Sequence, residues 1–167
     1  MRSYTVDDAA ALHEAILASI DHLRPWMPWA SLEPLTFDQR IEWLRGVREA
    51  MGIFEGDTCV GGTGLHDRIG EGGLEIGYWV RADHVGRGIA TEAARQVTAL
   101  AFERSGITYV EIHHDKANVR SRRVPEKLGF TLVREVPDAI TAPGECGISY
   151  EWRLDRSRDL RTPDPAA

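Results

Sequence analysis

The stretch VGRGIATEA, residues 85–93, places two glycines between a predicted strand and a long predicted helix. Gly86 and Gly88 have no β-carbon, so the backbone can turn tightly there and approach a ligand closely. The first N–H groups of the helix have no partner inside it, and its dipole adds partial positive charge. Arg87 can add a full positive charge. The pattern therefore predicts a loop that can hold a diphosphate, although G-x-G is also typical of a simple turn.

Length and composition favour a single globular domain with a sizeable core. The chain has 167 residues, 43% hydrophobic and 28% charged, and we predict one domain over residues 1–154 followed by a disordered tail over 155–167. The net charge of -6 argues against a nucleic-acid partner and favours amine-bearing ones. Cys59 and Cys146 fit neither a disulfide framework nor a zinc site. No apolar run approaches the roughly 18 residues of a membrane span, so we expect a cytoplasmic protein without membrane association.

Hydrophobic periodicity divides the chain into helices and strands. Capping boxes at Thr5 and Thr36 open the first two helices. If Ser121 caps a later short helix, Pro125 falls in its first turn, where the missing N–H is tolerated. The predicted order is helix 6–20, helix 37–50, a hairpin of 51–54 and 58–66, strand 74–80, a helix from the glycine loop to Gly106, strand 107–113, a short helix ending at Gly129, and strands 130–136 and 146–154.

This order, with VGRGIATEA at 85–93 and NVRSRRVPEKLGF at 118–130, resembles the GCN5-related N-acetyltransferase (GNAT) superfamily over nearly the whole chain. The pieces HLRPWMPW at 22–29, GYWV at 77–80 and N-x-x-S at 118–121 resemble its ribosomal-protein-alanine N-acetyltransferase branch, of the RimJ/RimL type. The resemblance implies an α+β (α/β three-layer) fold with a mixed, mostly antiparallel sheet of six or seven strands and about four helices. The family's first strand is nearly missing, so either it is very short or the sequence starts late.

The resemblance also implies acetyl-coenzyme A as cosubstrate and direct attack of a primary amine on its thioester. Backbone N–H groups near Trp79 or Val80 would polarise the thioester carbonyl. Val85 departs from the Gln or Arg that is usual in the family, at little cost because backbone amides bind the diphosphate. A dinucleotide-binding loop would instead need a glycine where Thr91 stands. The diphosphate-binding residues implied are Val85, Gly86, Arg87, Gly88, Ile89, Ala90 and Thr91.

The base that takes the proton of the amine has several candidates. Glu75 lies on the same strand face as Gly77, which would leave room for an acceptor beside its carboxylate. A carboxylate on this strand is the base in several members of the superfamily. Glu75 can equally be an exposed strand residue. Asp138 and Glu145, on a late loop, are rival acids.

The acid that protonates the coenzyme sulfur is indicated by the N-x-x-S motif. Many members of the superfamily use a tyrosine at the position that Pro125 occupies here, so this chain cannot use that acid. Ser121 is the candidate donor or relay, with Asn118 binding the pantetheine arm. Ser121 can also be only a helix cap. Tyr150 is a possible substitute on the last strand, or a packing residue.

The remaining site candidates are aromatic and basic. Trp26 and Trp29, on a proline-rich loop, either pack in the core or line an acceptor pocket. His113 and His114 follow each other on a strand, so at most one is expected to point inward, and we predict no metal site. A basic group comprises Lys116, Arg120, Arg122, Arg123 and Lys127. This group either binds the 3′-phosphate or adenine end of the coenzyme, with Arg123 as the candidate ligand, or is a solvated helix face.

The acceptor stays open at this stage. The branch suggests the N-terminal α-amine of a ribosomal or other protein, and a homodimer is a further possibility. A small-molecule amine or antibiotic acetyltransferase is the alternative. A non-catalytic acyl-coenzyme A sensor would bind the coenzyme and tolerate Ser121→Ala without a kinetic effect.

Overall fold

The computed structural model describes residues 1–47 and 49–157, which form one seven-stranded sheet with helices on both faces. The strands are β1 (Arg2–Ser3), β2 (Ala50–Glu55), β3 (Thr58–His66), β4 (Gly73–Val80), β5 (Tyr109–Asp115), β6 (Thr131–Pro137) and β7 (Ile148–Asp155). The helices are α1 (Ala9–Leu17), α2 (Ile20–Leu23), α3 (Phe37–Gly46), α4 (Ile89–Glu103) and α5 (Val119–Leu128). The predicted fold class is confirmed.

The strand order is β1-β2-β3-β4-β5-β7-β6, and every neighbouring pair is antiparallel except β4 and β5. The parallel pair needs a crossover, which α4 supplies. The last two strands exchange places because β7 lies between β5 and β6. The glycine loop therefore lies at the end of β4 in the middle of the sheet.

Two hydrophobic clusters cover the two faces of the sheet. One buries Val97 and Ala101 of α4 and Leu128 of α5 against β4, β5 and β7. The small alanines of α4 let this helix approach the sheet closely, as its sequence pattern indicates. The other cluster buries Leu12 and Ile16 of α1 with residues of α3 and β3. The sheet is thus the middle layer of three.

The first two helices begin at the predicted capping boxes but end earlier than predicted. The Thr36 hydroxyl accepts the backbone N–H of Gln39, whose side chain accepts the N–H of Thr36. The predicted helix 6–20 is instead a short 3-10 turn followed by α1, which ends at Leu17. A separate helix, α2, begins at Ile20, because Ser19 leaves the helical conformation and its hydroxyl accepts the Ala82 N–H. The second helix ends at Gly46 rather than at residue 50.

Asn118, and not Ser121, caps α5. Its Oδ1 accepts the backbone N–H of Ser121 at 3.1 Å, which makes Ser121 the third residue of the helix. Pro125 consequently lies in the helix interior, whereas it was predicted to lie in the first turn. Gly129, with φ +81°, ends the helix as predicted.

The first and last described strands both belong to the sheet. The first strand is very short, with two residues paired to β2, which is one of the two predicted alternatives. At the other end Asp155 closes β7, and the Arg156 side chain donates to backbone oxygens of Phe102 and Ile107. The rest of the predicted tail, residues 158–167, lies outside the described residues.

Candidate active site

β4 and β5 separate after three residue pairs, and this separation exposes the site. Residues 73–75 pair with residues 109–111, and the rest of β4 pairs with β3 alone among the described strands. Residues of β4 line two cavities beside this opening. The glycine-loop cavity, bounded by Gly86 and Gly88, has a volume of about 460 Å³. The tryptophan cavity, bounded by Trp29 and Trp43, has a volume of about 670 Å³.

The glycine loop has the geometry that its sequence predicts. Gly86 and Gly88 have φ values of +79° and +78°, a left-handed conformation that L-residues with a side chain adopt only at a cost. Gly88 is the N-cap of α4, so the first N–H groups of the helix lack intrahelical partners. All predicted loop residues line the glycine-loop cavity except Arg87, whose guanidinium binds Glu55 at 2.8 Å.

Three cations of α5 line the same cavity. Arg120, Arg123 and Lys127 follow each other at three- and four-residue spacing, so they share one helix face. Within residues 1–47 and 49–157 they have no carboxylate partner. The other two members of the predicted basic group are paired elsewhere, Lys116 with Glu135 and Arg122 with Glu126.

Two histidines that the sequence reasoning missed also line the glycine-loop cavity. His22 lies in the HLRPWMPW segment together with Trp26 and Trp29, and His84 lies directly before the loop. Burial and the nearby Arg120 lower the pKa of His22, which favours its neutral form. A histidine within a segment already singled out is the signal that could have found His22.

A pair of hydroxyl groups lies where the two cavities meet. Tyr78 Oη is 2.9 Å from Ser121 Oγ and donates to the Ser121 backbone oxygen at 3.2 Å. Burial raises the pKa of Tyr78 well above its usual range, so the phenol keeps its proton. The sequence reasoning missed Tyr78, treating it as an ordinary strand residue. Six residues line both cavities: Trp26, Met27, Tyr78, Trp79, Asn118 and Ser121.

The predicted tryptophans form part of the second cavity. Trp26 lines both cavities, whereas Trp29 lines the tryptophan cavity and packs edge-on against Trp79, with ring centroids 6.2 Å apart. Trp29 therefore both packs against a neighbouring ring and lines a cavity, and its role in binding an acceptor stays a prediction. Trp43 of α3, which was treated only as part of a helix, lines the cavity as well. Val80 lines the glycine-loop cavity.

Glu75 faces the tryptophan cavity but is already paired. Arg68 donates to both of its carboxylate oxygens, at 2.7 and 2.5 Å. Burial alone would raise the pKa of Glu75, but the hydrogen bonds and charge of Arg68 outweigh it and the pKa is lowered. A carboxylate that is both paired and less basic than usual is a weak proton acceptor. The Glu75 side chain is buried, which differs from the exposed strand residue considered as its alternative.

The rival acids shape a loop. Asp138 and Glu145 both line the tryptophan cavity, yet each accepts nearby backbone N–H groups. Glu145 Oε2 binds the N–H groups of Thr141 and Ala142, which holds the turn between β6 and β7. Tyr150 lines neither cavity and packs in the core against His114, with ring centroids 5.8 Å apart.

The two adjacent histidines of β5 both line the tryptophan cavity, but their rings make separate contacts, because neighbouring strand residues point to opposite faces of the sheet. His114 has no free nitrogen, since Nε2 accepts the indole N–H of Trp152 at 3.0 Å and Nδ1 donates to the Asp115 oxygen at 2.8 Å. Burial lowers its pKa, consistent with a neutral ring. His113 instead contacts two carboxylates, those of Glu111 and Glu75.

The group around His113 is an ion-pair network. Glu111, His113 and Glu151 present ligand atoms within 4.8 Å of one another, a spacing compatible with a metal ion. Arginines already occupy both carboxylates, Arg153 on Glu111 and Arg134 on Glu151. Because these guanidinium groups supply the positive charge, we assign no metal here.

Comparison with known proteins identifies the family of this chain. The profile of the acetyltransferase (GNAT) domain matches residues 1–131. YdaF of Bacillus subtilis (strain 168), named as a proposed ribosomal N-acetyltransferase, is 32% identical over 149 residues, which cover 82% of this chain and 80% of YdaF.

No helix among the described residues is long and apolar enough to cross a membrane.

Solved structures with the same fold bind coenzyme A or acetyl-coenzyme A. RimL, a ribosomal L7/L12 α-N-protein acetyltransferase in complex with coenzyme A, superposes with a TM-score of 0.80 at 19% identity over 92% of each chain. The microcin C7 self-immunity acetyltransferase MccE, in complex with acetyl-coenzyme A and AMP, superposes with a TM-score of 0.80 at 17% identity over 92% of this chain and 89% of MccE. With the domain match and the YdaF relationship, the conclusion is that this chain belongs to the GNAT acetyltransferase family.

Proposed function

We propose that this GNAT chain transfers the acetyl group of acetyl-coenzyme A to the N-terminal α-amine of a protein, with a ribosomal protein as the first candidate. The observation that carries the proposal is the meeting of the two cavities at Tyr78 and Ser121. A thioester at that junction would have its coenzyme on one side and its acceptor on the other. The name of the relative YdaF supports a ribosomal acceptor.

The glycine-loop cavity supplies the groups for the coenzyme. The N–H groups at the start of α4 would bind the diphosphate, and Arg120, Arg123 and Lys127 would meet the 3′-phosphate. Asn118, whose Oδ1 is used as a helix cap, keeps its amide NH₂ for the pantetheine arm. Backbone N–H groups near Trp79 and Val80 would stabilise the oxyanion.

The junction supplies the acid. As the amine nitrogen bonds to the carbonyl carbon and the C–S bond breaks, the Ser121 hydroxyl would donate a proton to the leaving thiolate. Tyr78, which stays protonated, would orient that hydroxyl, and solvent would restore the Ser121 proton. Donating this proton gives Ser121 a role that a helix cap would not need, since Asn118 already caps α5.

The tryptophan cavity supplies the acceptor side. Glu75, Asp138 and Glu145 give its walls carboxylates, which attract an amine, and Trp26 and Trp29 give it flat apolar surface. An α-amino group has a reference pKa of about 7.7 to 8.0, against about 10.4 for lysine. An α-amine therefore needs less help to lose its proton at neutral pH.

The test is transfer of labelled acetyl groups from acetyl-coenzyme A into two matched peptides. One copies a ribosomal N-terminus with a free α-amine, and the other has the same sequence with a blocked α-amine and an added lysine. We expect label in the first peptide alone. Label in small amines but in neither peptide would reassign the chain to the small-molecule alternative. Coenzyme binding without any transfer would favour the sensor.

A further inference from the structure

His113 lies in the wall of the tryptophan cavity between two carboxylates. Its Nε2 is 2.6 Å from Glu111 Oε2, and its Nδ1 is 3.7 Å from Glu75 Oε2. The first distance is a strong hydrogen bond, whereas the second is too long for one. The two ring nitrogens are therefore in different situations, one bonded and one available.

Glu111 decides which nitrogen carries the proton. It is fully buried, and Arg153 donates to its other oxygen, Oε1, at 2.8 Å, which keeps the carboxylate an acceptor. His113 must then donate through Nε2–H to Glu111 Oε2. In the neutral ring this leaves the lone pair on Nδ1, on the side where Glu75 lines the cavity.

We propose that His113, rather than Glu75, takes the proton from the acceptor amine, with Glu111 as its positioning residue. This inference rests on the proposed N-acetyltransferase function but not on the identity of the amine. An ammonium group beside the Nδ1 to Oε2 gap can contact both atoms, because 3.7 Å is short enough for one nitrogen to lie about 3 Å from each. Glu75, held by Arg68, then attracts the ammonium while His113 accepts its proton.

The protons and bonds balance in this scheme. The ammonium gives one proton to His113 Nδ1 and becomes a nucleophilic amine, which bonds to the thioester carbon as the C–S bond breaks. The new amide nitrogen releases a second proton to solvent, and the departing thiolate takes one from the Ser121 hydroxyl, which solvent then reprotonates. His113 returns its proton to solvent, so the net products are the amide, coenzyme A thiol and one proton.

The surrounding charges come from five elements. Glu75 is on β4, Glu111 on β5, Glu151 and Arg153 on β7, Arg134 on β6, and Arg68 between β3 and β4, with His66 at the end of β3. The three carboxylates are matched by three guanidinium groups. Among the histidines of this cavity, burial lowers the pKa of both His66 and His114, and His114 has no free nitrogen.

The kinetic test compares His113→Gln with His13→Gln. The amide of the glutamine can still donate to Glu111 but cannot accept a proton, whereas His13 lies on α1 outside both cavities. We expect His113→Gln to lower kcat by about 100-fold with unchanged KM for acetyl-coenzyme A, and to remove the acid limb of the kcat profile against pH. Added imidazole should restore activity to His113→Ala. His13→Gln should match the wild type.

Two results would overturn the assignment. The first is a wild-type kcat and acid limb in His113→Gln. The second is a lower kcat that keeps its acid limb and is not restored by imidazole in His113→Ala, which would leave His113 a structural role. This kinetic test can use any amine that the wild type acetylates. Inactivity toward ribosomal peptides would therefore reject only the proposed acceptor and not the role of His113.

A second measurement needs no acceptor. Nitrogen-15 NMR of labelled histidines in the whole protein at pH 8 should show His113 with a proton on Nε2 and none on Nδ1. A proton on Nδ1 at that pH would also overturn the proposal, because the nitrogen facing Glu75 could not accept another.

Discussion

At the scale of single residues, the contact between Tyr78 and Ser121 orients one hydroxyl group at the junction of the cavities. We predict that Ser121→Ala lowers kcat by about 100-fold, as expected for loss of a proton donor. Tyr78→Phe should lower it roughly tenfold, because one orienting hydrogen bond is worth about 1 to 1.5 kcal/mol. The kcat of the double variant should equal that of Ser121→Ala, because Tyr78 acts only through the Ser121 hydroxyl. Steady-state kinetics with saturating acetyl-coenzyme A measures all three.

Tyr109→Phe is the matched control for this prediction. Its hydroxyl donates to the Ile69 backbone oxygen, away from the cavities, so the same change of chemistry should leave kcat unchanged. A double variant whose losses multiply would show that Ser121 and Tyr78 act separately.

The same scale explains what the sequence could not show. Tyr78 and Ser121 are 43 positions apart, and their contact depends on how α5 packs beside β4. The sequence places Glu75 on the same strand face as Gly77, but its pairing with Arg68 depends on how the connection before β4 folds back. Motifs indicate which groups are present, whereas tertiary packing decides which of them are free.

At the scale of secondary-structure elements, the role of the glycine loop in coenzyme binding can be tested by adding one methyl group at Gly88. An alanine at Gly88 would meet no atom within 4 Å, but its left-handed φ of +78° costs an L-residue about 1 to 2 kcal/mol. We predict that Gly88→Ala weakens the binding of coenzyme A and lowers the midpoint of thermal unfolding, because the N–H groups at the start of α4 shift. Isothermal titration with coenzyme A measures the first effect.

Gly46→Ala provides the control within a helix. Gly46 ends α3, has no positive φ, and also leaves a β-carbon free of contacts. This change should leave coenzyme affinity unaltered and raise stability by up to about 1 kcal/mol. Equal effects of the two alanines on coenzyme affinity would contradict the role of the loop.

The start of the first helix gives a pH-dependent prediction. Hydrogen bonds from Arg2, at 2.7 and 2.6 Å, and from the Thr5 N–H outweigh burial and lower the pKa of Asp8 to about 2. A lowered native pKa stabilises the fold above the unfolded pKa, near 4, and this stabilisation is lost as the pH falls toward 2. Asp8→Asn should therefore cost about 1 to 2 kcal/mol at pH 7, since half-exposed Arg2 is partly screened.

Urea unfolding of the wild type and Asp8→Asn at pH 7 and pH 3 measures this contribution. The difference between the two proteins should shrink at the lower pH. A difference that stays constant would mean that the capping hydrogen bonds, rather than the charge, stabilise the helix start.

Local signals located most elements correctly and placed their ends less well. The capping boxes at Thr5 and Thr36, and Gly129 as a stop, mark ends that depend on neighbouring residues alone. The break at Ser19 depends on a hydrogen bond to Ala82, 63 residues away, which no local pattern contains. Asn118 was assigned to the coenzyme because of the family motif, so its ordinary preference for helix caps was overlooked.

At the scale of the whole molecule, three cations lie together at the glycine-loop cavity in a chain that is acidic overall. The chain carries a net charge of -6, yet Arg120, Arg123 and Lys127 face the glycine-loop cavity without carboxylate partners in the described part of the chain. We predict that Arg123→Gln raises the KM for acetyl-coenzyme A about tenfold, the loss expected for one charge-assisted hydrogen bond. Raising the salt concentration should weaken binding to the wild type.

Arg122→Gln is the neighbouring control, because Arg122 is already bound to Glu126. It should leave this KM unchanged. Dephospho-coenzyme A, which lacks the 3′-phosphate, should bind wild type and Arg123→Gln equally if Arg123 meets that phosphate. A persistent difference would place Arg123 on another part of the coenzyme.

The short parallel contact between β4 and β5 bears on how the molecule opens. Strands β1 to β4 and strands β5 to β7 are each joined by antiparallel ladders, but only residues 73–75 and 109–111 pair across the middle, with α4 packed over the join. Separating β4 from β5 should cost less free energy than unfolding either half. The amide protons of the residues that pair between β4 and β5 should therefore exchange with deuterium before those of the antiparallel ladders. A ligand that binds both halves would stabilise the closed state and slow exchange even at amides that it does not contact.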